Sequence, residues 1–194
     1  MIEKYALDNG MRVLLVPTKG TDTVWAIVLV RVGSRYEPAQ INGASHFIEH
    51  MMFKGTRRRP TSQHITRTLD SIGASYNAFT DKHVTGYYVK VDKSHLELGI
   101  DLLDDMLFAS KVDEVEMNKE RGAIVEEINM YEDNPMYFIN DLIEREVFKG
   151  GSLGWEIAGT TDIIKNMDRD EMHAFYQKYY QPSNMTLVVS GNIN

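Results

Sequence analysis

The chain has 194 residues, 43% of them hydrophobic and 25% charged, with no cysteine. That length buries a sizeable core and makes one domain over residues 1–194 the default for an ordinary globular protein. The missing cysteines exclude a disulfide framework and a thiolate metal site, and a formal charge of −7 argues against nucleic-acid binding and favours neutral or basic partners.

Taken in order, Met1–Asp8 lacks the basic-then-apolar plan of a signal peptide. Met11–Val16 follows the turn pair Asn9-Gly10 and stops at Pro17, which reads as a strand. Val24–Val32 is β-branched and nearly continuous, which predicts a central strand buried on both faces. Its apolar core, Val24–Val30, is too short to span a bilayer. A soluble, cytoplasmic protein without membrane contact is the expectation.

Gly33–Gly43 reads as a loop leading to an apolar helix that stops at Lys54-Gly55. Arg57–Arg59 reads as a solvated basic loop. Thr61 is placed to cap a helix over Ser62–Ile72, ended by Gly73. Residues 74–79 and 84–91 form a predicted β-hairpin. Ser94 is placed to cap a helix through Ser110 with Leu96, Ile100, Leu103 and Leu107 on one stripe. Asp113 and Glu116 form a capping box for a helix over 114–131. Asn134-Pro135 breaks that helix, another runs to about Phe148, and Gly150–Gly154 is a loop. Asp168 caps a helix to Tyr180, Pro182 stops it, and Met185–Ser190 is a last strand. Strands and helices mix without strict alternation, which predicts an α+β layer.

The apolar helix after the first loop carries His46-Phe47-Ile48-Glu49-His50. Four residues apart, the two histidines project from one helix face, where two imidazoles can share a metal ion, zinc being the usual choice. Glu49 lies on nearly the same face and can reach a water without being a ligand itself. Phe47, Ile48, Met51, Met52 and Phe53 make this helix largely buried. The other histidines, His64, His83, His95 and His173, lack metal-ligand spacing and read as surface or hydrogen-bonded residues.

A catalytic zinc needs a third protein ligand, and the helix over 114–131 offers Glu116, Glu120, Glu126 and Glu127. Glu120, Ile124 and Glu127 share one side, while Glu126 is turned about a hundred degrees from Glu127. Spacing alone does not choose among them, and a solvated acidic face is the plainer reading.

The His46–His50 motif, together with Glu120-Arg121-Gly122-Ala123-Ile124-Val125-Glu126-Glu127-Ile128, resembles the pitrilysin-type (M16) zinc metallopeptidases, which are inverted zincins. Within them the chain is most similar to bacterial processing proteases and the β subunit of mitochondrial processing peptidase. Phe53-Lys54-Gly55-Thr56, Gly73-Ala74 with Asn77-Ala78, and Leu153-Gly154 before Ala158-Gly159-Thr160 also match, from about Gly10 to Gly191.

The resemblance implies His46 and His50 as zinc ligands, Glu49 as general base and Glu127 as the distal ligand, with Glu126 the near-miss. It implies Glu120 as the carboxylate that orients a ligating histidine. It also implies an antiparallel-rich sheet with helices on one face, and a peptide or unfolded polypeptide substrate added as a strand along Gly73–Phe79. Asn77, Ala78 and Phe79 are then substrate-binding residues, although Asn77 is equally suited to tying the hairpin turn. Family members pair two homologous halves or two subunits, and the second contributes an arginine and a tyrosine that hold the peptide. That half lies outside this chain, so a second half or partner subunit is expected for efficient proteolysis. The rival reading is a non-catalytic scaffold of the same fold, which relatives in respiratory complexes exemplify.

Overall fold

A computed structural model describes residues 1–193. Six strands form one sheet in the order β1-β2-β6-β3-β5-β4: β1 (Glu3–Ala6), β2 (Arg12–Pro17), β3 (Thr23–Val30), β4 (Ser75–Thr80), β5 (Thr85–Asp92) and β6 (Met185–Gly191). Every pairing is antiparallel except β2 with β6. The fold is therefore α+β, as the unalternated pattern implied, with the antiparallel-rich sheet that the resemblance implied.

Seven helices accompany the sheet: α1 (Ala44–Met52), α2 (Ser62–Ser71), α3 (Leu96–Ala109), α4 (Glu114–Glu132), α5 (Pro135–Val147), α6 (Thr161–Asn166) and α7 (Arg169–Tyr179). The core lies between the sheet and these helices except α5, which buries no residue. Val24, Ala26, Val28 and Val30 of β3 are buried there with Tyr87, Val89 and Val91 of β5, against Phe47, Ile48, Met51, Leu103 and Leu107.

Strand β3 meets the expectation of burial on both faces only in part. Ile27 on the far side is buried and Leu29 half-buried, but Trp25 on that side is 40% exposed, resting edge-on against Tyr88 at 6.0 Å. A β-branched run marks a strand well, but which face is covered depends on what packs there. Helix α1 also ends earlier than expected, at Met52.

Capping follows short polar side chains, with two corrections. Thr61, Asn134 and Asp168 each accept a backbone N–H of the helix they precede. Ser94 is not the cap of α3: Asp92 accepts the Ser94 amide, opening a 3-10 turn over Lys93–His95 that leads into α3. Asp113 accepts the amides of Val115 and Glu116, but the Glu116 carboxylate turns outward to Lys119 at 2.6 Å instead of completing a box. Strand β1 and helix α6 were not anticipated. With four wholly exposed residues and six residues respectively, neither shows a hydrophobic period long enough to read.

The basic run is no free loop. Asp105 of α3, fully buried, accepts the Thr56 hydroxyl at 2.6 Å and the Arg59 guanidinium at 2.7 Å, with Arg58 at 3.1 Å. Asp101 binds both arginines. This network fastens the segment after α1 to α3. Burial alone would raise the Asp105 carboxyl, but the Thr56 hydroxyl and the two guanidiniums outweigh it and hold it below the usual carboxylate range.

A carboxyl depressed by folding adds stability above its unfolded pKa and loses it as pH falls through the folded value. Asp105→Asn should therefore cost about 1–3 kcal/mol at neutral pH by replacing the charge-assisted hydrogen bonds of a buried carboxylate with weaker neutral ones. Chemical denaturation from pH 7 to pH 3 should show the gap to wild type narrowing below about pH 4. A gap that stays constant with pH would exclude an ionised Asp105 as the cause.

Candidate active site

Helix α1 is assembled from its ends. Glu37, buried in the preceding loop, accepts the backbone amides of Gly43 and Ser45 at 2.7 Å each and the Asn42 side chain at 2.9 Å. An anion at the free amides of a helix start is stabilised by hydrogen bonds and by the helix dipole. The Asn42 amide also donates to the Glu156 carbonyl at 3.0 Å, fixing the helix start to a second segment. There the backbones meet so closely that a Cβ on Gly43 would lie 2.6 Å from the Ala158 carbonyl oxygen. Glycine is required there, with φ of 96°.

From this helix His46 and His50 direct their Nε2 atoms to within 3.2 Å of each other. The Glu127 carboxylate approaches both, 3.7 Å from His46 Nε2 and 3.4 Å from His50 Nε2. Tetrahedral ligands at about 2.0–2.1 Å from an ion sit roughly 3.3–3.4 Å apart, so the three donors already have near-ligand spacing. Two imidazole nitrogens facing each other across a carboxylate suit a cation between them. His46, His50 and Glu127 thus form a group that can hold a metal ion such as zinc, the one such group of histidines and carboxylates among the described residues.

Glu120, two helical turns before Glu127 on α4, accepts from His50 Nδ1 at 2.9 Å. That assigns the proton to Nδ1 and leaves the Nε2 lone pair for a ligand. Lys54 closes the chain of contacts, its ammonium 2.5 Å from the other Glu120 oxygen. Burial opposes charge on His50, but Glu120 and Glu127 overcome it and push the imidazole up to about 9. Histidine contacts, set against burial, hold Glu127 far below the usual carboxylate range. A bound cation competes with the same proton, so binding and deprotonation are coupled here.

The rotation of α4 settles which glutamate joins the histidines. Glu120 and Ile124 are buried, Glu127 is half-buried, and Glu126 is exposed, lining a separate surface depression with Asn129 and Asp133. Arg121 sets that rotation. Its guanidinium donates to the carbonyls of Ile164 and Met167, the latter at 2.6 Å, and lies over the Phe47 ring of α1 at 5.7 Å. Sequence spacing left this choice open because it depends on the docking of three helices.

Glu49 is half-buried beside the histidines, and burial raises its carboxyl above the usual range despite an opposing hydrogen bond from Thr80. It opens, with His46, His50 and Glu127, onto a cavity of about 700 Å³. Asn77, Ala78, Phe79 and Thr80 form one wall of that cavity. They belong to β4, the edge strand of the sheet, and Asn77 pairs with Tyr88 in mid-strand, not at the turn. The opposite wall holds Tyr131, Tyr137, Asp141 and Glu156. The remaining histidines stand apart. His64 bonds the Thr61 hydroxyl at 2.7 Å, and the Arg35 guanidinium lies 2.9 Å from His83.

The family model of insulinase (peptidase family M16) matches residues 12–161, and that of the peptidase M16 inactive domain matches residues 166–194. The chain belongs to peptidase family M16. Among M16 relatives it is 39% identical over its whole length to an uncharacterized zinc protease, YmxG, of Bacillus subtilis, covering 47% of that protein. Over 97% of its length it is 34% identical to the β subunit of the mitochondrial-processing peptidase of Caenorhabditis elegans, covering 41% of it. The chain thus spans about half the length of the curated M16 relatives it matches. A protease from Helicobacter pylori superimposes with a TM-score of 0.95 at 28% identity, over all of this chain and 47% of that one.

Metal content separates the two glutamates. Wild type and Glu126→Ala, purified without chelator, should carry one zinc per chain by elemental analysis, and Glu127→Ala almost none. Glu120→Gln should retain the site with about 10- to 100-fold weaker affinity in chelator competition. Loss in Glu126→Ala alone would shift the ligand by one residue.

Proposed function

We propose that this chain is the zinc-bearing half of a metalloendopeptidase, with zinc held by His46, His50 and Glu127. The observation that carries this reading is the convergence of those three donors beside a half-buried Glu49, in a cavity also lined by the edge strand β4. The names of the zinc protease relatives support the choice of metal.

Zinc in such a site supplies Lewis acidity, making water more acidic and polarising a carbonyl. The chain's own part is positioning and proton transfer. Glu49 accepts a proton from the attacking water and passes it to the leaving amine, a task suited to a carboxylate whose basicity burial has raised. Edge strand β4 offers free main-chain groups to an extended peptide, giving affinity without demanding a sequence. Asn77 and Phe79, exposed along that edge, are placed to touch it. Glu132, Asp141 and Glu156 in the cavity favour peptides with basic side chains.

Coverage of half of each relative supports a second half or partner subunit that closes over the peptide. Zinc binding belongs to this chain, and efficient turnover needs both. Glu49→Gln tests the chemistry. Hydrolysis of an unfolded protein by the complete enzyme should fall at least about 100-fold, the scale of lost general-base catalysis, while zinc content stays at one per chain. Retained turnover would remove Glu49 from the reaction.

A further inference from the structure

Glu49 has one side-chain hydrogen-bond donor among the described residues, and it comes from a different element, the neighbouring strand β4. The Thr80 hydroxyl donates to Glu49 Oε2 at 2.6 Å, across 31 residues of sequence. Thr80 is the last residue of β4, the strand proposed above as the docking edge. A charge-assisted O–H···O contact of this length is among the stronger hydrogen bonds. It occupies one carboxylate oxygen and leaves the other for proton transfer.

Thr80 is itself firmly held. It pairs with Thr85 across the hairpin, and Asp81 returns a backbone bond to Val84 at 2.9 Å. Beyond it, the Asp81 and Lys82 carbonyls accept the amides of Ser34 and Arg35 at 3.3 and 3.1 Å. Gly33 permits that approach, since a Cβ there would meet the Asp81 oxygen at 2.0 Å. Lys82 then pins the turn to α5, 2.9 Å from Glu144, and donates to the Trp155 carbonyl. The hairpin end is a fixed point, and its position passes to Glu49 through one hydroxyl.

We infer that Thr80 is a positioning residue that locks the Glu49 carboxylate in register with the peptide-docking strand β4. A peptide paired along this edge then meets the base at a set distance. Docking and proton transfer are aligned by the same strand, whatever the peptide's side chains. The inference rests on Glu49 being the general base.

The test compares Thr80→Val and Thr80→Ser in the complete enzyme with an internally quenched peptide that wild type cleaves. Valine keeps the β-branched shape that strands favour and removes only the donor; serine keeps the donor. Misplacing a catalytic group by about 1 Å costs up to roughly 100-fold, so Thr80→Val should lower kcat about 10- to 100-fold. KM should stay within about twofold and zinc content should be unchanged, because substrate affinity and metal ligation do not use the hydroxyl. Thr80→Ser should restore kcat to within about threefold of wild type, by keeping the hydrogen bond.

Wild-type kcat in Thr80→Val would overturn the inference, as would equal damage from both substitutions or loss of zinc in either. Glu49→Gln run alongside separates the two readings. If it is inactive while Thr80→Val is fully active, only the role of Thr80 falls. If it still turns over, the base assignment falls and takes this inference with it.

Discussion

Helix α1 has nine residues, too few to hold helical form on its own propensity, and it carries both histidines and Glu49. Its geometry is imposed from outside. At its start the Glu37 carboxylate takes up amides that would otherwise be buried without partners. Past its end, Thr56 and the arginines after it are fastened to Asp105 on α3. Between these anchors the apolar residues face the sheet and turn the other side of the helix toward α4. The distance between His46, His50 and Glu127 follows from that double clamp.

Charge is arranged around the same helix in a consistent order. Lys54 neutralises Glu120, Glu120 holds the Nδ1 proton of His50, and His50 turns its Nε2 inward. Each contact stiffens the next. A buried carboxylate between a lysine and a histidine is well compensated, so Glu120 keeps its charge and its carboxyl lies below the usual range. At Glu49 burial outweighs the Thr80 hydrogen bond and the nearby histidines, which keeps its basicity high. Two glutamates within one small region thereby acquire opposite character from their surroundings.

The parts legible in the sequence are those governed by neighbours a few residues apart. The four-residue spacing of His46 and His50, the caps Thr61 and Asp168, and the hairpin around residues 81–84 depend only on local geometry. The choice between Glu126 and Glu127 needs the roll of α4, which Arg121 sets by reaching α6 and the Phe47 ring. Glu37 went unremarked because a lone glutamate in a loop carries no period. Thr80 lay hidden for the same reason, since its partner is 31 residues away. Strand β3 was recognisable, but the exposure of Trp25 depends on the far face of the sheet, about which the strand's own residues say nothing.

The position of β6 has a consequence for how the chain folds as it is made. This strand lies in the middle of the sheet, between β2 and β3, and it joins the β1–β2 hairpin to the three strands β3, β5 and β4. Until residue 191 leaves the ribosome, β2 and β3 each present an unpaired edge to solvent. The nascent chain must therefore wait, with its helices able to form locally but its sheet in two pieces. The closing pairs join residues as distant as Val13 and Leu187, so the final step is a slow, long-range closure. During that interval the apolar edge of β3 is the segment most open to capture by another chain, and the one a chaperone has most reason to cover.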